Sequence, residues 1–149
     1  MPFFEVRDSA DSRGLNLPMK FHLVVNQLVI SIVGGLSERG QLLANSRNAL
    51  FPGGYLYISA SGVSDSINEQ YAQLYARDKP LTGEDNTYYS RDSDGNSLYE
   101  THHFTDKELA SLLEEAGFDD ISIETIREAS SRRPDQAAYF HYATARRKL

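Results

Sequence analysis

The 149-residue chain contains no cysteine, which removes disulfides, thiolate metal ligands and a cysteine nucleophile together. No apolar run approaches the roughly 20 residues that a membrane span needs, and the N-terminus lacks the basic-then-apolar pattern of an export signal. The expectation is a cytoplasmic protein without a membrane partner. Basic residues are also outnumbered, 15 Lys and Arg against 21 Asp and Glu, for a net charge of -6. A phosphate-backbone binder carries a basic face that releases counterions, so nucleic acid is not an expected partner. There is no His pair at i and i+4, no GxSxG and no phosphate-loop motif, so zinc, serine-hydrolase and nucleotide-triphosphate readings lapse and no metal is expected. What is present, 40% hydrophobic and 24% charged residues, is the mixture of a single globular domain, 1–149, whose partners would be small molecules or proteins.

The chain is organised around Phe21 to Gly35. Phe21 to Val25 is a β-branched apolar run that reads as a strand buried on both faces, and Asn26-Gln27 follow where an open α/β sheet meets its ligand, beyond the carboxyl end of a strand. Leu28 to Val33 is too apolar to be exposed and fits helix or strand. Ser37 is placed to cap a helix with Leu36, Leu42, Leu43, Ser46, Arg47 and Leu50 at amphipathic spacing. Pro52-Gly53-Gly54 reads as the turn ending that segment, and Tyr55 to Ala60 as a second buried strand. Strand, helix and strand make a crossover unit with two parallel strands.

Residues 63–101 read as an insert between core elements, the length of a lid or substrate loop. Ile67 to Arg77 is helical, with Ile67, Tyr71, Leu74 and Tyr75 on one stripe. Thr87-Tyr88-Tyr89 and Ser97-Leu98-Tyr99 flank Asp94-Gly95 as a hairpin. Tyr88, Tyr89, Arg91 and Tyr99 would line a substrate pocket or cover the core. The acidic loop around Asp92 fails as a calcium site, because Ser90 and Thr101 fall where carboxylates are needed. His102 and His103 precede the next helix. A histidine there is either a base for a substrate hydroxyl or amine, or a hydrogen-bonded structural group, and adjacent positions in a strand send only one of the two to a given site. Thr105 with Glu108 is a capping box, and Leu109, Leu112, Leu113 and Ala116 form the apolar face before Gly117. Ile121, Ile123 and Ile126 continue as a strand. Ser130 to Gln136, an exposed turn or an anion site, joins it to a last strand, Ala138 to Ala145, as an antiparallel pair.

In order, FHLVV, LFPGGYLYISAS and HHFTDKELASLLEEAGFDDISIE resemble the C-terminal half of class I S-adenosylmethionine-dependent methyltransferases, the type 11 group in particular, over most of Phe21 to Arg147. The resemblance implies an α/β fold: a partial Rossmann-like methyltransferase sheet with strands equivalent to 4, 5, 7 and 6, the last one antiparallel, flanked by helices. It also implies methyl transfer to a small molecule. In that family a glycine-rich turn after strand one and an acidic residue after strand two hold the cofactor, and neither segment is found in these residues. Asp11 and Ser12 match the adenine-side loop, with Asp8-Ser9 as a second registration; Asn26 matches the residue just past strand four, and Leu28 the backbone that packs on the cofactor. His103 is the candidate catalytic residue, and Tyr88, Tyr89, Arg91 and His102 are the candidate substrate contacts.

A glycine turn lets the backbone approach a nucleoside, and a helix start donates its N–H groups; side chains on later strands do not replace them. The expectation is a truncated methyltransferase-like chain, incomplete or inactive in isolation, that binds S-adenosylmethionine weakly or not at all. The alternative is a non-catalytic binding or assembly protein derived from that fold. The open edge of the first strand calls for a homodimer partner, a missing N-terminal partner segment, or Phe3 to Val6 folding back as a substitute strand.

Overall fold

The computed structural model describes residues 9–11, 17–130 and 136–149, so Phe3 to Val6, Ser12 and the turn at 131–135 lie outside the described residues. Six strands and three helices follow one another as β1 (Phe21–Gln27), α1 (Leu36–Ala49), β2 (Leu50–Ser61), α2 (Glu69–Thr82), β3 (Thr87–Arg91), β4 (Ser97–His102), α3 (Asp106–Glu115), β5 (Phe118–Ala129) and β6 (Ala137–Arg147). The main sheet has the order β1-β2-β6-β5, and β3-β4 form a separate ribbon. β1 runs parallel to β2, and β6 antiparallel to both β2 and β5. This is the strand series 4-5-7-6 of the methyltransferase sheet, with the reversed strand where the resemblance puts it.

α1 and α3 cover one face of that sheet, and α2 covers the β6 end of the other at Ala138 and Phe140. Val24, Leu56, Ile58, Ala143 and Ala145 meet Leu42 and Leu43 of α1 and Leu109 and Leu113 of α3, with Ile30, Phe104 and Phe118 closing the cluster. The opposite face of β1 and β2 is open: Leu23 and Val25 are each 57% exposed and Tyr55 is 42% exposed. The expectation of a strand buried on both faces is therefore corrected. Apolar residues lie on both sides of β1, but among the described residues α1 and α3 pack on the Val24 side alone.

Other boundaries shift for local reasons. Pro52-Gly53-Gly54 does not precede the second strand but lies inside it. Phe21 pairs with Leu50 and Leu23 with Tyr55, so β2 carries extra residues there as a bulge, with Gly53 at φ +80°. A side chain at Gly54 would stand 2.9 Å from the Phe51 carbonyl oxygen. Ser37 is not a cap: α1 begins from Gly35 without a side-chain capping bond, and Leu36, assigned to the apolar face, is 61% exposed. The buried face of α1 carries Arg39, Asn45 and Ser46 beside its leucines. Leu28 to Val33 forms a single 3-10 turn, Val29–Ser31, that buries Ile30 and Ser31 yet leaves Ile32 48% exposed.

The insert is longer in helix than its spacing suggests. α2 starts from Asn68, whose side chain accepts the Gln70 N–H, and continues past Pro80 to Gly83 at φ +73°. The hairpin forms as expected, its turn fixed by Asp92 Oδ1 accepting the Asp94 and Asn96 N–H groups, both at 2.9 Å. The insert leaves and rejoins the body at one point. Phe104 N–H donates to the Ser61 carbonyl and Val63 N–H to that of Phe104, at 2.8 and 3.0 Å. His141 clamps the junction, its Nε2 donating to the Phe104 carbonyl (2.7 Å) and its Nδ1 paired with Thr125 Oγ1 (2.8 Å). Gly62 sits here because a side chain would stand 3.0 Å from both His141 and Tyr139. Half of the capping box forms: Thr105 accepts the Glu108 N–H at 3.1 Å, whereas the Glu108 carboxylate turns to His102. Among the described residues no helix is long and apolar enough to cross a membrane.

Candidate functional site

A cavity of about 430 Å³ opens where the carboxyl ends of β1 and β2 face the insert, the crevice position expected in an open α/β sheet. One wall is Leu28, Ser31 and Ile32 after β1, together with Ser61; the facing wall is the hairpin and α2, and Tyr139 and Phe140 of β6 close the side. Leu28 is positioned by strained backbone. It has φ +60°, uncommon outside glycine, and its N–H is shared at 3.1 Å between the Ser59 carbonyl and hydroxyl. Ser31 Oγ accepts the Ser61 N–H at 2.9 Å, tying the two strand ends together.

The insert contributes a ring cluster. His103 is 4% exposed; its imidazole meets Tyr71, Tyr75 and Tyr88 edge-on, with centroid separations of 5.0, 5.5 and 5.4 Å. Tyr75 Oη lies 2.5 Å from His103 Nδ1 and accepts the Ser64 N–H at 3.4 Å. Burial drives the Tyr75 phenol far above its ordinary value, overriding the Ser64 bond, so the hydroxyl stays protonated and neutral. The pair fixes the orientation of the imidazole.

Beyond the tyrosines lies a charged clamp. Asp78 on α2 is fully buried and receives Arg77 through Nε and Nη2 at 2.9 and 2.7 Å, Arg91 through Nη2 and Nη1 at 3.0 Å each, and the Tyr89 N–H at 2.8 Å. The Arg77 hydrogen bond, followed against burial by those of Arg91 and the Tyr89 N–H, holds the Asp78 carboxyl well below the usual carboxylate range. One carboxylate thus anchors the hairpin to the helix and orients two guanidinium groups, both on the cavity wall.

The residues singled out from the sequence divide accordingly. Leu28, Tyr88, Tyr89, Arg91 and His103 all line the cavity. Asn26 and His102 are not on its wall. The Asn26 amide is buried on the helix side of the sheet, donating to Ser46 Oγ at 2.7 Å, and the two ring nitrogens of His102 pair with Thr87 Oγ1 (2.6 Å) and Glu108 Oε1 (2.8 Å). Adjacent histidines do face opposite ways, and His103 is the one on the cavity. Asp11 lies against α1, its carbonyl and that of Ser9 accepting the Asn45 amide at 3.2 and 2.9 Å. Ser12 lies outside the described residues. Arg77, Tyr139 and Phe140 were not foreseen as wall residues. They arrive from elements far apart in the chain, and only the Arg77-Asp78 adjacency hinted at a charge site.

The solved structures agree on the fold. Neither a family model nor a curated relative matches the chain. Among solved structures, an S-adenosylmethionine-dependent methyltransferase from Methanosarcina mazei aligns with a TM-score of 0.83 at 25% identity, over 98% of this chain and 67% of that one. The 1,6-didemethyltoxoflavin-N1-methyltransferase of Burkholderia thailandensis aligns with a TM-score of 0.57 at 19% identity, over 95% of this chain and 48% of that one. Human N-acetylserotonin methyltransferase gives 0.59 at 17% identity, over 98% and 34%. The chain has the class I S-adenosylmethionine-dependent methyltransferase fold, and it spans between a third and two thirds of the length of these three neighbours.

Measured against that cofactor, the described residues fit in part. Leu28, Ser31 and Ile32 present a wall at the strand end where the cofactor of this fold lies. The Asn26 amide and the backbone carbonyl of Asp11 are engaged with α1.

Proposed function

We propose that this chain forms the acceptor-binding part of an S-adenosylmethionine-dependent methyltransferase acting on a small molecule, and that by itself it holds the cofactor weakly or not at all. The observation that carries the reading is the single cavity wall shared by the β1 strand end and the tyrosine-rich insert, in a fold whose solved neighbours include methyltransferases of small molecules. S-adenosylmethionine supplies an activated methyl group, so the acceptor site has mainly to position a nucleophile. The Tyr88 ring binds and orients the acceptor, and Tyr89 borders it through its backbone. His103, in the tautomer whose Nδ1–H donates to Tyr75 Oη, takes at Nε2 the proton that the acceptor's hydroxyl or amine gives up on methylation.

The open side of β1 is where a polypeptide supplying the cofactor-gripping strands would pair. The M. mazei neighbour carries a further third of its length that this chain does not match, and β1 is an edge strand among the described residues, with Leu23 and Val25 uncovered on its face. A self-paired dimer, read by light scattering, speaks against such a segment as the occupant.

Calorimetric titration of this chain with S-adenosylhomocysteine tests the central claim. The expected result is no saturable binding below the millimolar range. Micromolar binding overturns the weak-binding claim and the non-catalytic alternative together, because an intact cofactor site would then be present.

A further inference from the structure

We propose that the molecule held in this cavity is an anion with a planar ring, its acidic group seated on Arg77 and Arg91 and its ring among the hairpin tyrosines. The inference deepens the acceptor-site reading and takes the cavity from it, but its own support is electrostatic. Two guanidinium groups share one carboxylate, Asp78, so the clamp keeps one positive charge. Among the described residues lining the cavity there is no Asp or Glu at all, in a chain whose net charge is -6. Basic charge is therefore placed here against the trend of the molecule.

The guanidinium donors are not exhausted by the clamp. Each arginine has five N–H groups. The bonds they make to Asp78 and the Tyr89 carbonyl use Nε and Nη2 of Arg77 and both terminal nitrogens of Arg91, leaving Arg77 Nη1 and Arg91 Nε without a protein acceptor among the described residues. The side chains of Arg77 and Arg91 are 47% and 24% exposed, while Asp78 behind them is closed to solvent. Both arginines hold the buried carboxylate through two nitrogens each, and the half-exposed Arg77 keeps Nη1 for whatever enters. Tyr88 and Tyr99 stand beside it on the cavity face of the hairpin, and an aromatic ring packs on such faces at little conformational cost. A volume of about 430 Å³ suits a small molecule.

Equilibrium binding measured without cofactor, by ligand-observed NMR, tests the assignment with four probes of one ring size: benzoate and phenyl phosphate as acids, benzamide and benzyl alcohol as neutral counterparts. The acids are expected to bind about tenfold tighter, to weaken with added salt, and to lose most of that advantage in Arg77→Gln, with benzamide unchanged. Which acid binds better separates a carboxylate from a phosphate as the natural group. Asp78→Asn, if circular dichroism shows it folded, should bind the acids more tightly than the native chain, because the neutralising charge is gone. Equal binding of acids and neutral probes, or an Arg77→Gln variant indistinguishable from the native chain, overturns the proposal. So does displacement of benzoate by S-adenosylhomocysteine, since the arginines would then serve the cofactor's own carboxylate. Acid binding that persists while S-adenosylhomocysteine binds the chain at micromolar affinity overturns the weak-binding claim of the proposed function and leaves this one standing.

Discussion

The body of the molecule and its insert rest on different physics. On the helix side of the sheet, Leu43, Leu56, Ile58, Leu109 and Leu113 are completely buried against one another, and stability there comes from apolar area and close packing. The insert meets β6 in a smaller apolar cluster, Tyr71 and Tyr75 against Ala138. It is pinned instead by ions: Asp78 with Arg77 and Arg91, and Arg39 with Glu84 and Glu100. Packed hydrocarbon fixes a position whatever the solvent, whereas a charged latch depends on pH and on each partner remaining in place. A segment that must bend around a ligand tolerates the second kind of fastening better than the first.

Breaking the comparison on the apolar side has the largest effect. Leu109→Ala removes a completely buried side chain between α3 and the sheet and is expected to cost about 3 kcal/mol, read as a lower urea midpoint. Next comes Asp78→Asn, which leaves Arg77 and Arg91 without their shared anion. The expected cost is about 2 kcal/mol at neutral pH, discounted because both arginines reach solvent. The acid response distinguishes the two variants. The native Asp78 carboxyl is depressed by Arg77 first, with Arg91 and the Tyr89 N–H. Its contribution is therefore complete above the ordinary carboxylate value of about 3.9 and is lost as pH falls below it. Urea titrations at pH 7 and at successively lower pH should show the gap between native and Asp78→Asn closing, while the gap for Leu109→Ala stays open. A gap for Asp78→Asn that does not change with pH removes the charged latch from the account.

The same contrast decides what the sequence could reveal. Strand order was legible because FHLVV and YLYISA are β-branched or aromatic runs separated by a crossover, and the hairpin because Asp94-Gly95 is a local signal. The packed face of α1 was not, since its buried positions include Arg39, Asn45 and Ser46, and polarity at a buried position is invisible to hydrophobic spacing. At the cavity, Tyr88, Tyr89, Arg91 and His103 were found because they lie within one short insert. Asn26 reads as a ligand contact from its place near a strand end, and only the Ser46 hydroxyl waiting on α1 redirects it. Glu108 reads as half of a capping box, and only His102 across the fold draws it away. The Asp78 clamp joins residues 11 to 13 positions apart on helix and hairpin, a distance that no local pattern spans.

The smallest expected effect is the most informative about Arg39. Its side chain is wholly buried, with one terminal nitrogen 2.7 Å from Glu84, the other 3.6 Å from Glu100, and its Nε and Nη2 without hydrogen-bond partners. Burying a guanidinium with two nitrogens unsatisfied costs desolvation that a single short ion pair only offsets. Its partners are better placed, because the Glu84 and Glu100 side chains remain 32% and 20% exposed and water can replace the lost cation. Arg39→Met keeps a long apolar side chain over the Phe104 ring and is expected to lie within about 1 kcal/mol of the native chain in thermal unfolding. Glu84→Gln weakens the one short pair Arg39 has and should cost more than Arg39→Met despite touching a more exposed residue. Were Arg39→Met to cost as much as Leu109→Ala, the ion pair would be holding the body as firmly as its hydrocarbon does, and the division between the two regions would not stand.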